Sequence, residues 1–381
     1  MSIRQPVIWA TLLYITGLLL GNIFSGNLFL YLSVALLGAA TLLKSKTRLA
    51  DAMLLLFWIT LGMARMGAAS QEQGYHYNRL TDRKAQLLNR QLAERLQQAG
   101  LDKEAMEVGS ALLLGQKDGL SREIRQQYAN AGASHLLALS GMHLGIIYGL
   151  LYIVLIRRIR YSEWKWFCLP PVLLTIWGYA LLAGMPVSLV RASIMFTLAT
   201  IATLAQTDTP PLHILALTAL VILLFTPEAL MQPGFQLSFT SVFFILALYR
   251  PIKDRLGIKN KAADLLLLSA IAQLGTAPLS IWYFHSLPLL GALVSIVLIP
   301  LTTLIIYLGL LILTVPIGYL ATLMNAAISL QDWVVRTAGS IPHSTITDLY
   351  PAWWQVLLVY LLLLCVIAKS HLKWSREDFS L

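Results

Sequence analysis

Charge is scarce in this chain. Asp, Glu, Lys and Arg together make up 12% of its 381 residues, while 57% are hydrophobic. A typical globular domain carries about 25% charged residues, so a soluble domain of ordinary make-up and a disordered chain are both excluded. Cysteine is nearly absent. Cys168 and Cys365 lie in separate apolar segments, which leaves no disulfide framework and no cysteine metal site; each reads as a small hydrophobic residue. Polar stretches are also rare, with one sizeable example at residues 70–132. β-rich runs, low-complexity tracts and fixed-period repeats are missing. No small-residue cleavage site ends the first apolar run, which therefore reads as a retained span and not as a removed signal peptide.

What fills the chain is a succession of apolar runs, and the mean hydropathy is +0.71. Runs of about 20 apolar residues are long enough to cross about 30 Å of hydrocarbon. They fall near 6–24, 28–43, 51–69, 134–156, 168–185, 187–206, 211–227, 235–250, 263–283, 288–314 and 352–368. Residues 315–341 read either as a twelfth span or as a helix lying at the interface. The expected fold is all-α: a polytopic integral membrane protein of about eleven transmembrane helices with an external amphipathic helical segment. The expected organisation is an N-terminal three-span region (1–69), that external segment (70–132), a membrane core (133–314), and C-terminal helices with a short basic tail (315–381).

Orientation follows from where Lys and Arg cluster in short loops. Lys44, Lys46 and Arg48 follow the second run, Arg157, Arg158, Arg160 and Lys165 the fourth, and Arg250, Lys253, Arg255, Lys259 and Lys261 the eighth. All three clusters share one side if the N-terminus is cytoplasmic. The inside segments then hold 16 of the 28 basic residues and 6 of the 18 acidic ones, an excess equal to the whole net charge of +10. The basic character therefore reports membrane topology and is not by itself a nucleic-acid footprint. In the polar segment, Thr81, Asp102 and Ser121 read as helix starts, with Gly100 and Gly115 as stops. These pieces are expected to lie on the outer leaflet or to cover a vestibule.

The stretch ASHLLALSGMHLGIIYG (133–149) carries two histidines, two serines and three glycines inside an apolar run. On one continuous helix with Ser140 at 0°, Gly141, Gly145 and Gly149 fall near about 100°, 140° and 180°, while His143 falls near about −60°. The glycines form a helix-packing ridge of the small-xxx-small type. The Ser140/His143 edge opposes it, toward other helices or a polar cavity, because an unpartnered polar group in hydrocarbon costs on the order of 2–7 kcal/mol. A structural histidine and a residue lining a path are both open readings. A catalytic Ser–His pair is not: the serine lacks the preceding glycine of a nucleophile elbow, and no acid stands near to orient the imidazole.

Other polar residues raise the same question. Arg191 lies about five residues inside the sixth run, where an arginine costs roughly 2.5–3.5 kcal/mol near the bilayer centre and less near an end. It reads either as a fixed charge for phosphates or as an outer-leaflet arginine paired with Glu228. Gln236 and Ser238 follow the helix-breaking Pro233–Gly234. Gln273 opens QLGTAP, where Gly275 and Pro278 interrupt an apolar run, and broken helices at that depth are tolerated only where freed backbone groups are buried in protein or line a cavity. A conduit and a packing kink are the two readings there. The aromatic clusters Trp164/Trp166, Trp282/Tyr283/Phe284 and Trp353/Trp354 sit at run ends and fit an interfacial belt better than base stacking.

Four blocks in order carry a resemblance: SALLLGQKDGLSREIRQQYANAGASHLLALSGMHLGIIYG (110–149), LLAGMPVSLVRASIM (181–195), LFTPEALMQPGFQLSF (224–239) and QLGTAPLSIWYFHSLPLLGALVSIVLIPL (273–301). Together they resemble the ComEC-type family of bacterial competence membrane proteins, with residues 133–314 matching its channel core and the first three runs its N-terminal helices. The resemblance implies a multi-pass channel component in the bacterial inner membrane, passing single-stranded DNA inward during natural transformation. A pore for a polyanion should be wet and lined with polar or basic groups, which makes His135, Ser140, His143, Arg191, Gln236, Ser238 and Gln273 the candidates for the substrate path. Members of that family also carry an external OB-like β-domain and a C-terminal metallo-β-lactamase-like nuclease domain. Neither is expected here: about forty residues of helical character precede Ser110, too few for a five-stranded barrel, and about a dozen follow the last run. His76, His135, His143, His213, His285, His343 and His371 form no HxH or HxxxH pair, so no hydrolytic metal site is expected. The expectation is a non-enzyme with no catalytic residue, metal or cofactor. Its partners would be single-stranded DNA, the lipid bilayer, and separate DNA-binding, nuclease and motor proteins, with a homo-oligomer as one option. The alternatives are a permease for another anionic or lipidic substrate, or a non-transporting scaffold derived from the channel.

Overall fold

A computed structural model describes residues 6–23, 28–42, 48–71, 81–116, 119–137, 139–159, 162–207, 209–315, 318–342 and 344–377. His76, His343, Arg4, Lys44, Lys46 and Arg160 lie outside the described residues. The fold is all-α. The helices are α1 (Pro6–Gly21), α2 (Leu28–Leu42), α3 (Arg48–Gln71), α4 (Thr81–Gln98), α5 (Lys103–Leu114), α6 (Arg122–Asn130), α7 (Ser134–Leu137) and α8 (Gly141–Leu151). A π-turn (Tyr152–Ile156) leads into α9 (Arg157–Ile159). A 3-10 turn (Glu163–Cys168) opens α10 (Leu169–Leu182), followed by α11 (Val187–Leu204), α12 (Pro211–Phe225) and a 3-10 turn (Pro227–Met231). Next come α13 (Pro233–Leu256), α14 (Lys261–Phe284), α15 (Gly291–Thr314), α16 (Gly318–Gly339) and α17 (Trp353–Glu377). Among the described residues β structure is confined to a two-residue antiparallel pair, Leu287–Pro288 with Thr345–Ile346.

Local chemistry sets many of these ends. Pro211 and Pro233 open helices at positions where no N–H is needed. The Ser121 hydroxyl accepts from the Ile124 N–H at 3.2 Å and caps α6. Gly115 ends α5 with a φ of 74°, a left-handed conformation that suits glycine. Among the described residues, six helices are long and apolar enough to cross a membrane: Gly141–Ile159, Glu163–Leu182, Val187–Leu204, Pro233–Leu256, Lys261–Phe284 and Gly291–Thr314. Shorter apolar helices lie at Pro6–Gly21, Leu28–Thr41, Pro211–Phe225 and Trp353–Ala368. This is the layout of a polytopic membrane protein. Within 315–341 the described helix is α16, Gly318–Gly339, which is not among the helices apolar enough to cross. Its buried stripe runs Ala321, Met324, Ala327, Ile328, Gln331, Val335 and Ala338, the spacing of an amphipathic helix packed on one face.

The chain divides into two compact units, Met1–Arg79 with Ile194–Phe239, and Leu80–Ser193 with Thr240–Leu381. The first unit is organised by glycines that the sequence reading passed over. A Cβ on Gly17 would lie 2.1 Å from the Ile59 carbonyl oxygen, and one on Gly62 would lie 2.4 Å from that of Tyr14. The backbones of α1 and α3 therefore touch directly, as small residues allow in lipid. Tyr14, fully buried, donates to the Leu223 carbonyl at 3.2 Å, and Arg65 Nε donates to the Leu224 carbonyl at 3.1 Å. Both bonds satisfy open carbonyls at the C-terminal end of α12.

In the second unit the central element is α5. Val108, Ala111, Leu112 and Leu113 are buried against Leu298, Ile305 and Ile306 of α15 and Met324 and Ile328 of α16. Gly309 of α15 makes the room: a Cβ there would meet the Leu113 side chain at 2.2 Å. α5, within the polar segment 70–132, thus packs on α15 and α16. The local periodicity that revealed a helix did not reveal how much of its circumference would be covered.

Candidate functional site

The run 134–156 is not one helix. α7 stops at Leu137, Ser140 is extended with φ −124° and ψ 168°, and α8 begins at Gly141. The interruption is built by the two polar residues themselves. Ser140 Oγ accepts from the Met142 N–H at 3.2 Å, and His143 Nδ1 accepts from the Ser140 N–H at 3.3 Å, with Ser140 Oγ to His143 Nδ1 at 3.1 Å. This is a capping box with histidine in the place usually held by Glu or Gln. From the first turn of α11, Ser188 Oγ donates to the Leu139 carbonyl at 2.6 Å and satisfies backbone freed by the break. The arrangement drawn on a continuous helical wheel is corrected accordingly: Ser140 is an N-cap and does not line a helix face.

The glycine ridge is corrected in part. A Cβ on Gly141 would meet Ala192 Cβ at 3.3 Å, so Gly141 lets α8 approach α11. Nothing lies within 4 Å of the corresponding position at Gly149. Gly149 is therefore not a packing glycine, and Gly145 is half-buried.

Arg191 follows one turn after Ser188 and is the direct neighbour of Ala192. Only 6% of it is exposed, and its Nε and Nη1 have no hydrogen-bond partner. The ion pairs among the described residues are Lys253–Asp264 and Arg336–Glu104, and neither includes Arg191. The fully buried Ser193 Oγ and His143 Nε2 are likewise without a partner. Because His143 Nδ1 accepts from the Ser140 N–H, the ring proton of a neutral His143 belongs on Nε2. The first turn of α8 and the first turns of α11 thus each hold buried donors without a protein partner, although most buried polar groups in proteins are paired. His135, on α7, is exposed.

The remaining candidates are otherwise engaged. Gln273 donates its amide to the Pro288 carbonyl and so ties α14 to the short β pair. Gly275 and Pro278 do not break α14, which is continuous from Lys261 to Phe284. A Cβ on Gly275 would lie 2.7 Å from the Phe244 ring, and Tyr360 donates to the Gly275 carbonyl at 2.9 Å. The packing-kink reading replaces the conduit here, because neighbours fill the space and meet the crowded carbonyl. Pro233 and Gly234 open α13 and do not interrupt it. In the first unit, Gln236 donates to the Leu230 carbonyl at 2.9 Å, and Ser238 is half-buried. Of the seven candidates, His143 and Arg191 are the two with buried side-chain atoms that lack a hydrogen-bond partner.

Two polar clusters escaped the sequence reading. Tyr128 of α6 donates to Asp332 of α16 at 2.8 Å, Gln331 Nε2 donates to the Tyr128 hydroxyl at 3.0 Å, and Thr302 of α15 donates to Gln331 Oε1 at 3.2 Å. Burial lifts the Asp332 carboxyl to about 6, partly opposed by the Tyr128 hydrogen bond and by Arg336, and burial also pushes the Tyr128 hydroxyl up. Asn89 of α4 donates to the carbonyls of Leu114 and Leu182, both at 2.8 Å, closing the ends of α5 and α10. The polar face of a helix is a weak sequence signal, since most such residues meet water. Among the described residues, no three His, Cys, Asp or Glu side chains come together as metal ligands.

With this geometry in view, comparison with known proteins is informative. The profile of the Competence protein family matches residues 112–373. ComE operon protein 3 of Bacillus subtilis (strain 168) is 32% identical over 194 residues, covering 51% of this chain and 24% of that protein. An uncharacterized protein of Aquifex aeolicus (strain VF5) is 29% identical over 211 residues, covering 55% of this chain and 48% of that one. The chain thus spans half or less of the length of these relatives. No solved structure matches significantly. Both the His143 capping box and Arg191 fall inside the matched region, and by the extent of that match the chain belongs to the Competence protein family.

Proposed function

We propose that the chain is a channel component for uptake of single-stranded DNA in natural transformation, set in the inner membrane with its N-terminus cytoplasmic. The reading rests on family membership and on one observation: Arg191 is buried within a membrane-spanning helix with two guanidinium N–H groups unpartnered. An arginine in that setting is costly, and a phosphodiester is an anion whose geometry matches its fork. His143, on the turn of α8 whose Gly141 approaches Ala192 beside Arg191, would add its Nε2 donor. In this reading the chain contributes a path and no chemistry, and separate polypeptides supply DNA capture, strand degradation and motive force.

The test is complementation of a deletion strain. Arg191→Ala is expected to lower transformation frequency by about ten- to a hundredfold, the loss of a charge-assisted phosphate contact, with protein level and membrane insertion unchanged. Arg191→Lys should recover part of it. Wild-type frequency from a well-inserted Arg191→Ala protein would overturn the proposal. Loss of transport of another anion with DNA uptake intact would replace it with a permease.

A further inference from the structure

We propose that the π-turn closing the α8–α9 span forms a binding site for the head group of an anionic phospholipid. A cavity of about 600 Å³ opens there, lined by Ile153, Val154, Arg157 and Arg158. The backbone widens at this point: the Arg157 N–H bonds to the Tyr152 carbonyl, five residues back, and single π-turns inside helices are often found at functional sites. The lining is divided by chemistry. Ile153 and Val154 are 57% and 52% exposed and offer an apolar wall. Arg157 and Arg158, one helical step further along, are exposed and take part in neither of the ion pairs found among the described residues. Glu163, the nearest acidic residue in sequence, is exposed and also takes no part in them.

Two adjacent guanidinium groups repel each other, and a phosphate accepting from both relieves that repulsion. A free phosphate has no use for the apolar wall. A phospholipid uses both halves, placing its phosphate on the arginines and the start of an acyl chain along Ile153 and Val154. The surroundings are at the right depth. The chain turns back through Ser162, whose N–H bonds to the Ile159 carbonyl at 2.8 Å. Trp164 and Phe167, 67% and 70% exposed, then pair with ring centroids 5.2 Å apart, as aromatic residues do at the bilayer interface. Arginine clusters at the end of a span attract anionic head groups. The site is separate from the Arg191 region and does not depend on the transport reading.

The experiment reconstitutes the full-length protein in nanodiscs of phosphatidylcholine with increasing phosphatidylglycerol or cardiolipin. It follows thermal stability and crosslinking by a photoactivatable phosphatidylglycerol analogue. The wild type is expected to gain stability with either anionic lipid and to crosslink within residues 153–158. Arg157→Gln/Arg158→Gln should need about tenfold more anionic lipid for the same gain, and Ile153→Ser should weaken crosslinking while leaving the arginines in place. If the double variant fails to fold, crosslinking of the wild type still decides. The proposal is overturned if phosphatidylcholine stabilises as well as the anionic lipids, or if the crosslinks fall elsewhere. It also fails if inorganic phosphate or a single-stranded oligonucleotide alone reproduces the full effect.

Discussion

The Tyr128 hydroxyl and the Asp332 carboxylate lie 2.8 Å apart across 204 residues of chain, and both are buried. This bond fixes α6 to α16. Gln331 and Thr302 extend it to α15. Tyr128→Phe keeps the ring and removes the hydroxyl, leaving Asp332 and Gln331 short of a partner. Loss of a buried hydrogen bond of this type costs about 1–3 kcal/mol. The variant should unfold at lower temperature in detergent, and an unchanged melting temperature would show that the cluster contributes nothing net.

Asp332 also sets a pH dependence. Its carboxyl rises from the ordinary 3.8 to about 6 because burial disfavours the charged form. The folded protein therefore holds this proton more tightly than the unfolded chain does. The associated stability is complete below the unfolded value and is lost as pH rises through about 6. Asp332→Asn keeps an oxygen to accept from Tyr128 and removes the charge. Subtracting its melting curve from that of the wild type should give a difference that grows against the wild type between about pH 4 and pH 7. A flat difference would refute the assignment.

The glycines separate into two kinds. Gly62→Ala would place a methyl 2.4 Å from the Tyr14 carbonyl oxygen, which belongs to backbone and cannot swing aside. The yield of folded protein should fall sharply. Gly149→Ala meets nothing within 4 Å, and alanine is favoured over glycine within a helix by about 0.5–1 kcal/mol. That variant should be as stable as the wild type or slightly more so. Equal damage from the two would restore the ridge that the structure replaces.

Asn89 gives the last prediction. Its amide closes two helix ends at once, Leu114 and Leu182. Asn89→Ala should open both and cost about 1–3 kcal/mol. Limited proteolysis should cut between α4 and α5 faster than in the wild type. Unaltered cleavage would mean that apolar packing by Leu92 and Leu96 holds α4 alone.

The sequence by itself determined the all-α membrane class and most helix ends. Long apolar runs need only local chemistry to become helices in hydrocarbon, and Ser121, Gly115 and Pro211 act within their own turn. The break at Ser140 was hidden because apolar character continues through it, and because its stability depends on Ser188, 49 residues from the carbonyl it binds. At Gly275 and Pro278 the sequence left a conduit and a packing kink both open, and there Phe244 fills the space and Tyr360 meets the carbonyl. Only the tertiary structure decided which buried polar atoms had partners. Pairing across the fold is set by which helices pack side by side, and hydropathy along a single chain does not encode that choice. Gln273 found Pro288, Tyr128 found Asp332, and the guanidinium of Arg191 was left with two donors free.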